Sequence, residues 1–314
     1  MKEKIAVLIP CYNEEITIKK VIEDFKKELP DANIYVYNNN STDETQNVAK
    51  KAGAIVVNEY KQGKGNVIRS MFRDIDADIY LMVDGDDTYP ASEAYKLISI
   101  IKQKKADMVI GDRLSNESYK NQNKRKFHGF GNNLVKNTIN FLFKCNLNDI
   151  MTGYRAFNKD FVKNFPVLSA GFEIETEMTF HALDRNYKIY EIPIVYRDRP
   201  KGSVSKLNTF SDGFKVLMTI FRMFKDYKPF VFFSAMAFIL MILALILGIP
   251  LFVEYFKTGL VTKFPRGILA TGIVICSVLS FSLGILLDSL VRQHKENLEI
   301  LRTLSRKGVY QDYE

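Results

Sequence analysis

Cysteine is scarce in this chain: Cys11, Cys145 and Cys276 stand far apart among 314 residues. No two of them have metal-ligand spacing and they form no disulfide framework, so all three read as buried or membrane thiols. There is no internal repeat, no low-complexity segment and no nucleic-acid-binding signature, so no nucleic-acid partner is expected. No leader is expected either. The first strand pattern begins within a few residues of Met1, and the long apolar runs lie late in the chain, so the N-terminal domain is expected to remain in the cytoplasm.

Charge is absent from two stretches, Phe230 to Val253 and Gly267 to Leu287. Each meets the roughly 20 apolar residues that a helix needs to cross a hydrocarbon core, which predicts a C-terminal two-span hairpin. Arg222, Lys225 and Lys228 precede the first span, and Arg292, His294 and Lys295 follow the second. Lys257, Lys263 and Arg266 sit between the spans, so the positive-inside bias is modest, but it favours both termini on the cytoplasmic side of the cell membrane. Lys and Arg total 44 against 36 Asp and Glu, and this +8 balance suits an anionic lipid or lipid phosphate.

Before the hairpin, strand and helix signals alternate. Strands are expected at Lys4 to Pro10, Asn33 to Tyr37, Ala54 to Val57, Ile79 to Val83, Asp107 to Gly111 and Lys188 to Tyr196, as in a parallel sheet covered on both faces. Right-handed crossovers then line up Cys11, Asn38 to Asn40, and Asp84 along one rim, where ligands of such sheets collect. Ser41 or Thr42 is expected to cap the helix that follows the second strand. Segments near Gly131 to Phe143 and Phe210 to Tyr227 have amphipathic patterns. The latter either covers the domain or lies in the membrane plane.

The chain is organised around Ile79 to Pro90, IYLMVDGDDTYP, where an apolar strand runs into Asp84, Asp86 and Asp87. Two carboxylates spaced Asp-x-Asp at a strand end can face one divalent cation that also holds a diphosphate, although a solvated acidic turn has the same spelling. Glu14, Asn38, Asp43, Lys64 and Asp84 lie at predicted strand ends, where they can surround a nucleotide while Asp86 holds the cation. Mg²⁺ and Mn²⁺ both suit such oxygen ligands. Lys64, between Gly63 and Gly65, either touches phosphate or faces solvent, and GKG lacks the remainder of a Walker A loop.

IPCYNEE, NNNSTDET, GKG, VDGDDTYP and the DxxTGYR form at Asp149 to Arg155 occur in that order. With the two terminal spans, the whole chain resembles the polyprenyl-phosphate branch of glycosyltransferase family 2, near dolichol-phosphate mannose synthases and GtrB-like glucosyltransferases. The resemblance implies an α/β fold of the GT-A kind with amphipathic interface helices and a transmembrane hairpin. The expected division is residues 1–209 for the catalytic domain, 210–229 for a juxtamembrane helix, 230–291 for the hairpin and 292–314 for a cytoplasmic tail.

It also implies an enzyme that moves a hexose from a nucleotide sugar to polyprenyl phosphate with inversion, giving a β-linked product. UDP-glucose is the first choice of donor, with UDP-N-acetylglucosamine and GDP-mannose as alternatives. A nonenzymatic nucleotide-sugar-binding membrane scaffold is the other reading. A processive synthase is disfavoured by the missing QxxRW signature and the small membrane domain.

On the same analogy Pro10, Tyr12 and Glu14 border the nucleotide, with Asn38 at a position commonly filled by Asp, followed by Asp43, Lys64 and Asp84. Asp86 is the main metal ligand, with Asp84 beside it. Asp149 is placed in the catalytic loop, orienting the acceptor or touching the sugar. No general base is demanded, because the acceptor phosphate is already ionised near neutral pH. Arg155 either stabilises phosphate or fastens the loop through Asp149. Of Glu173, Glu175 and Glu177, Glu175 is favoured for sugar contact. Arg113 and Arg125 are expected to receive the acceptor phosphate, Lys201 to Lys206 is either a lid or a loose basic connection, and a membrane homo-oligomer is compatible with the resemblance.

Overall fold

A computed structural model of the chain describes residues 3–115, 126–200, 202 and 209–311, with the side chains of 126–132, 209–216, 298 and 301–311 left aside. The chain divides into two compact units, Met1–Ile220 and Phe221–Glu314.

The first unit is built on a seven-stranded sheet of order β3-β2-β1-β4-β6-β5-β7. Its strands are β1 (Ile5–Cys11), β2 (Asn33–Asn38), β3 (Ile55–Asn58), β4 (Ile79–Met82), β5 (Met108–Asp112), β6 (Arg155–Asn158) and β7 (Ile189–Pro193). Every residue of β4 and β5 is buried, as expected for strands covered on both faces. Val7, Ile9 and Leu81 point into one apolar cluster, while Ala6, Leu8 and Met82 point into the other. Strand alternation thus feeds two cores from one sheet.

Helices α1 (Ile18–Glu28), α2 (Thr45–Lys51), α3 (Lys64–Asp74) and α4 (Ala94–Lys102) make the crossovers. In α1 the buried residues are Ile18, Val21, Ile22 and Phe25, the i, i+3, i+4, i+7 stripe of a one-sided helix. Each such side chain contributes roughly 1.5–3 kcal/mol when fully buried. Ser41 and Thr42 do not cap α2. Its first residue, Thr45, gives its amide to Asp43 at 3.0 Å, whereas Ser41 Oγ accepts from the Asn13 amide at 2.9 Å. The hydroxyl is used between loops.

One strand departs from the all-parallel expectation. β6 runs antiparallel between β4 and β5, with Leu81 and Val109 both opposite Ala156. The sequence around it reads as turn chemistry because only Ala156 and Phe157 mark it as a strand, and its first residue, Arg155, is a fully buried cation. After β5 come α5 (Lys126–Phe143), α6 (Lys159–Asn164) and α7 (Ile174–Asp184), and α8 (Thr209–Tyr227) closes the series.

In the second unit α9 (Pro229–Thr258) and α10 (Phe264–Gln311) form an antiparallel pair. Both contain a stretch long and apolar enough to cross a membrane. Ala237, Ala244 and Leu251 recur every seven residues on the buried face of α9, and Ser277 Oγ donates to the Ala237 carbonyl at 2.8 Å. Small residues let the backbones approach, as between membrane helices generally. Pro250 has no N–H for the Ile246 carbonyl, and Arg266 Nη2 lies 3.4 Å from that oxygen.

Candidate active site at the carboxyl rim of the sheet

The carboxyl ends of β1, β2 and β4 bring Cys11, Asn38 and the Asp84 turn to one rim. Asp84 takes Lys64 Nζ at 2.5 Å, and the same ammonium reaches Glu175 Oε1 at 2.6 Å. Lys64 therefore does not face solvent in this structure. It is buried between two carboxylates from β4 and α7. Burial alone would lower its pKa, but Asp84 and Glu175 outweigh that and raise it, so it stays charged. Burial pushes the Glu175 carboxyl up in spite of Lys64.

The glycines beside Lys64 have a steric cause. A Cβ on Gly65 would lie 2.1 Å from the Ser169 carbonyl oxygen, and one on Gly63, at φ +126°, would lie 2.2 Å from that of Ala170. The 168–171 loop rests on the turn and its Ala170 carbonyl accepts the Gly65 amide at 2.9 Å. Glu177 fastens this loop by accepting the amides of Leu168 and Ser169, both at 2.8 Å. Gly153 of the TGYR form is similar, since a Cβ there would come 2.4 Å from Asp84 Oδ2.

Asp86 is buried, and its Oδ1 accepts from the Thr88 amide and hydroxyl at 3.1 and 2.6 Å. Its Oδ2 meets Arg199 Nη2 at 2.6 Å, and Arg199 Nη1 lies 3.5 Å from Glu14. Burial first, then the charge of Asp84, holds the Asp86 carboxyl above its usual range. Among the described residues no group of three or more His, Cys, Asp or Glu is placed to hold a metal. The oxygen chemistry of the Asp84 and Asp86 carboxylates fits a divalent cation, and in this structure each faces a side-chain cation, Lys64 at Asp84 and Arg199 at Asp86. Sequence reasoning missed Arg199, which opens the basic RPKGSVSK run and carries no local signal that it folds back onto the Asp turn.

Asp87, at φ +59°, pairs with Lys20 at 2.7 Å, and Thr17 Oγ1 donates to the Gly85 carbonyl at 2.7 Å, so α1 fixes the whole turn. Tyr89 follows it and its hydroxyl lies 3.3 Å from the Gly153 amide. The two motifs are thus tied together.

Asp149 is buried and grips Arg113. Arg113 Nε donates to Oδ2 at 2.7 Å, Nη2 to Oδ1 at 2.9 Å and the Arg113 amide to Oδ2 at 3.1 Å. The guanidinium also lies over the Tyr196 ring, 5.7 Å from its centroid. This bidentate pair occupies the place that Arg155 could have taken. Arg155 instead donates to the Thr152 carbonyl and Thr179 Oγ1 at 3.0 and 2.9 Å, and to the Ile150 carbonyl. It threads the 149–155 loop onto α7, and burial lowers its pKa to about 10.

At the carboxyl ends of β1 and β2 Tyr12 is partly exposed, while Pro10 lies opposite Tyr37 in the sheet register. Both ends of the Asn38 amide are engaged, Nδ2 with Asn58 and Oδ1 with the Ser41 amide. The Glu14 amide donates to Thr45 Oγ1 at 2.7 Å. Burial raises the Asp43 carboxyl, but hydrogen bonds from the Thr45 hydroxyl and from amides win and hold it below its usual range. Arg125 and most of Lys201 to Lys206 lie outside the described residues.

A family model described as glycosyl transferase family 2 matches residues 6–165. The chain is 31% identical over 304 residues to glycosyltransferase AglJ of Haloferax volcanii, covering 96% of this chain and 98% of that one. It is 28% identical to a dolichyl-phosphate hexose transferase of the same organism, over 67% of this chain and 90% of the other. Among solved structures, glucosyl-3-phosphoglycerate synthase of Mycobacterium tuberculosis with UDP matches with a TM-score of 0.58 at 19% identity, covering 70% of this chain and 80% of that chain. At that identity the match concerns the fold alone, an α/β domain of the GT-A kind.

Proposed function

The chain belongs to glycosyl transferase family 2, and from that premise we propose that it transfers a hexose from a nucleotide sugar to a membrane polyprenyl phosphate. The donor we favour is UDP-glucose, and the configuration at the anomeric carbon is inverted. The observation that carries this reading is the meeting of the DGDD and DxxTGYR segments, in which Asp84 lies against Gly153 and Tyr89 bonds its amide. A donor-diphosphate site and an acceptor-phosphate site are then neighbours.

In this reading the nucleotide lies over Pro10, Tyr12, Glu14, Asn38 and Asp43. Asp86 and Asp84 would hold Mg²⁺ or Mn²⁺, which when bound neutralises diphosphate charge and eases departure of the nucleoside diphosphate. Lys64 bridges Asp84 and Glu175, and Glu175 is the carboxylate proposed to meet the sugar hydroxyls. An oxygen of the lipid phosphate attacks the anomeric carbon as the bond to the diphosphate breaks, and the electron pair leaves on the diphosphate. The attacking oxygen carries no proton, so Asp149 works by orienting Arg113 toward the acceptor phosphate. Arg155 holds the shape of the loop between them, and Arg125 is proposed as a second phosphate contact.

The hairpin anchors the domain at the bilayer, with the domain and both termini on the cytoplasmic face. The purified chain in phospholipid vesicles, given polyprenyl phosphate and in turn UDP-glucose, UDP-N-acetylglucosamine and GDP-mannose, tests the donor. UDP-glucose should give the highest kcat/KM. A preference for either other donor refutes the sugar assignment, and consumption of none refutes the activity.

A further inference from the structure

Glu191 lies on β7, opposite Ile110 in the parallel register, one strand from the end of β5 where Arg113 begins. Its carboxylate bonds no side chain among its described hydrogen bonds. Both oxygens turn to the 148–149 backbone: the Asn148 amide lies 3.0 and 2.8 Å from Oε1 and Oε2, and the Asp149 amide 2.7 Å from Oε1. Two consecutive amides aimed at one carboxylate fix the peptide plane from which the Asp149 side chain departs. That side chain grips Arg113 through both oxygens. From the other side, Asp112 accepts the amides of Leu114 and Ser115 at 2.8 and 3.1 Å, fixing the Arg113 backbone.

The arrangement carries a cost that a merely structural loop would avoid. Glu191 lies near two other carboxylates, Asp112 and Asp149, of which only Asp149 pairs with the Arg113 guanidinium, and burial together with these two neighbours raises the Glu191 carboxyl above its usual range. An apolar packing of the same loop would carry no such repulsion. Retaining the charge suits a requirement for direction: Oε1 accepts both amides and Oε2 accepts that of Asn148 as well, and bonds to an ionised acceptor are shorter and stronger than bonds to a neutral one.

We propose that Glu191 is a positioning residue for the acceptor half of the reaction: it orients the Asn148–Asp149 peptide so that Asp149 holds Arg113 toward the lipid phosphate. This rests on the reading of Arg113 as an acceptor-phosphate residue. Glu191 touches no reacting atom, so its effect travels through Asp149 and Arg113 and vanishes when Arg113 is gone.

A double-mutant cycle in the full-length protein in vesicles tests this, with Glu191→Gln, Arg113→Ala and the pair. In Gln the amide nitrogen replaces one acceptor and faces the Asn148 N–H. The apparent KM for polyprenyl phosphate should rise roughly 5-fold, as for loss of one net hydrogen bond, while the donor dissociation constant by calorimetry stays within about 2-fold. In the Arg113→Ala background the same change should shift acceptor KM by less than about 2-fold, as for a route through Arg113 alone. Glu191→Asp, which keeps the charge but shortens the reach, should give the same acceptor-selective defect and serves if the Gln protein is not folded. Additive effects, equal effects on donor and acceptor, or an unchanged KM in a folded Glu191 variant overturn the positioning role alone. An unchanged acceptor KM in Arg113→Ala overturns the acceptor-phosphate reading itself.

Discussion

Replacing Lys64 by Met keeps the length of the side chain and removes the one charge that Asp84 and Glu175 share. The Lys64 side chain is 9% exposed and that of Glu175 5%, so neither water nor a rotamer change can replace the lost cation at Glu175. Asp84 is 27% exposed and partly screened. Loss of one partner of a buried pair costs about 3–5 kcal/mol, and the partial screening places this case near 3. For a domain of this size each kcal/mol moves the midpoint by ~2–4 °C, so Tm should fall by about 6–12 °C at pH 7.5.

The pH dependence has a definite sign. The folded pKa of Glu175 is already raised by burial and rises further without Lys64, so the penalty is present above that folded pKa and is lost as pH falls through it. Thermal unfolding of the full chain in detergent, followed by circular dichroism at pH 7.5 and pH 5.5, measures both effects. The variant should be closer to the parent at pH 5.5, and adding Glu175→Gln should recover stability at pH 7.5. A Tm at pH 7.5 within a degree or so of the parent would refute Lys64 as the cation neutralising a buried pair.

Three other outcomes follow from the geometry. Asp86→Asn should fold normally yet lose metal-dependent turnover by ~10² or more, the scale of one lost electrostatic contact to a leaving group, and Mg²⁺ and Mn²⁺ titrations that match the parent would contradict it. Gly65→Ala drives a methyl into the Ser169 carbonyl and should cost ~1–3 kcal/mol with a matching fall in Tm; an unshifted Tm would mean that the 168–171 loop does not rest on the turn. Arg155→Lys cannot satisfy three acceptors from one plane, so kcat should drop by roughly 10-fold or more through loop misplacement while donor affinity is kept. A loss confined to donor affinity, read by calorimetry, would instead place Arg155 at the nucleotide.

The carboxyl rim was legible because strand patterns and acidic turns are local signals. Cys11, Asn38 and Asp84 mark their strand ends by apolar runs that stop in polar residues, and the hairpin is spelled out by two uncharged stretches. What stayed hidden is pairing across the chain. No spacing rule says that Lys64 bridges Asp84 and Glu175, that Arg113 and not Arg155 answers Asp149, or that Arg199 returns to Asp86 from beyond β7. β6 was hidden for the same reason, since a four-residue strand beginning with a buried arginine has no periodicity of its own. The glycines of the GKG turn are visible in sequence, whereas the loop that requires them arrives from about a hundred residues away.

In the proposed reaction a sugar alone crosses from donor to lipid phosphate. The most direct measurement incubates the vesicle-embedded protein with polyprenyl phosphate and a nucleotide sugar and determines both products by mass spectrometry. The expected pair is a lipid heavier by one hexose residue, in a single phosphodiester, and the nucleoside diphosphate. A lipid diphosphate sugar accompanied by the nucleoside monophosphate, or free sugar with unchanged lipid, would contradict it.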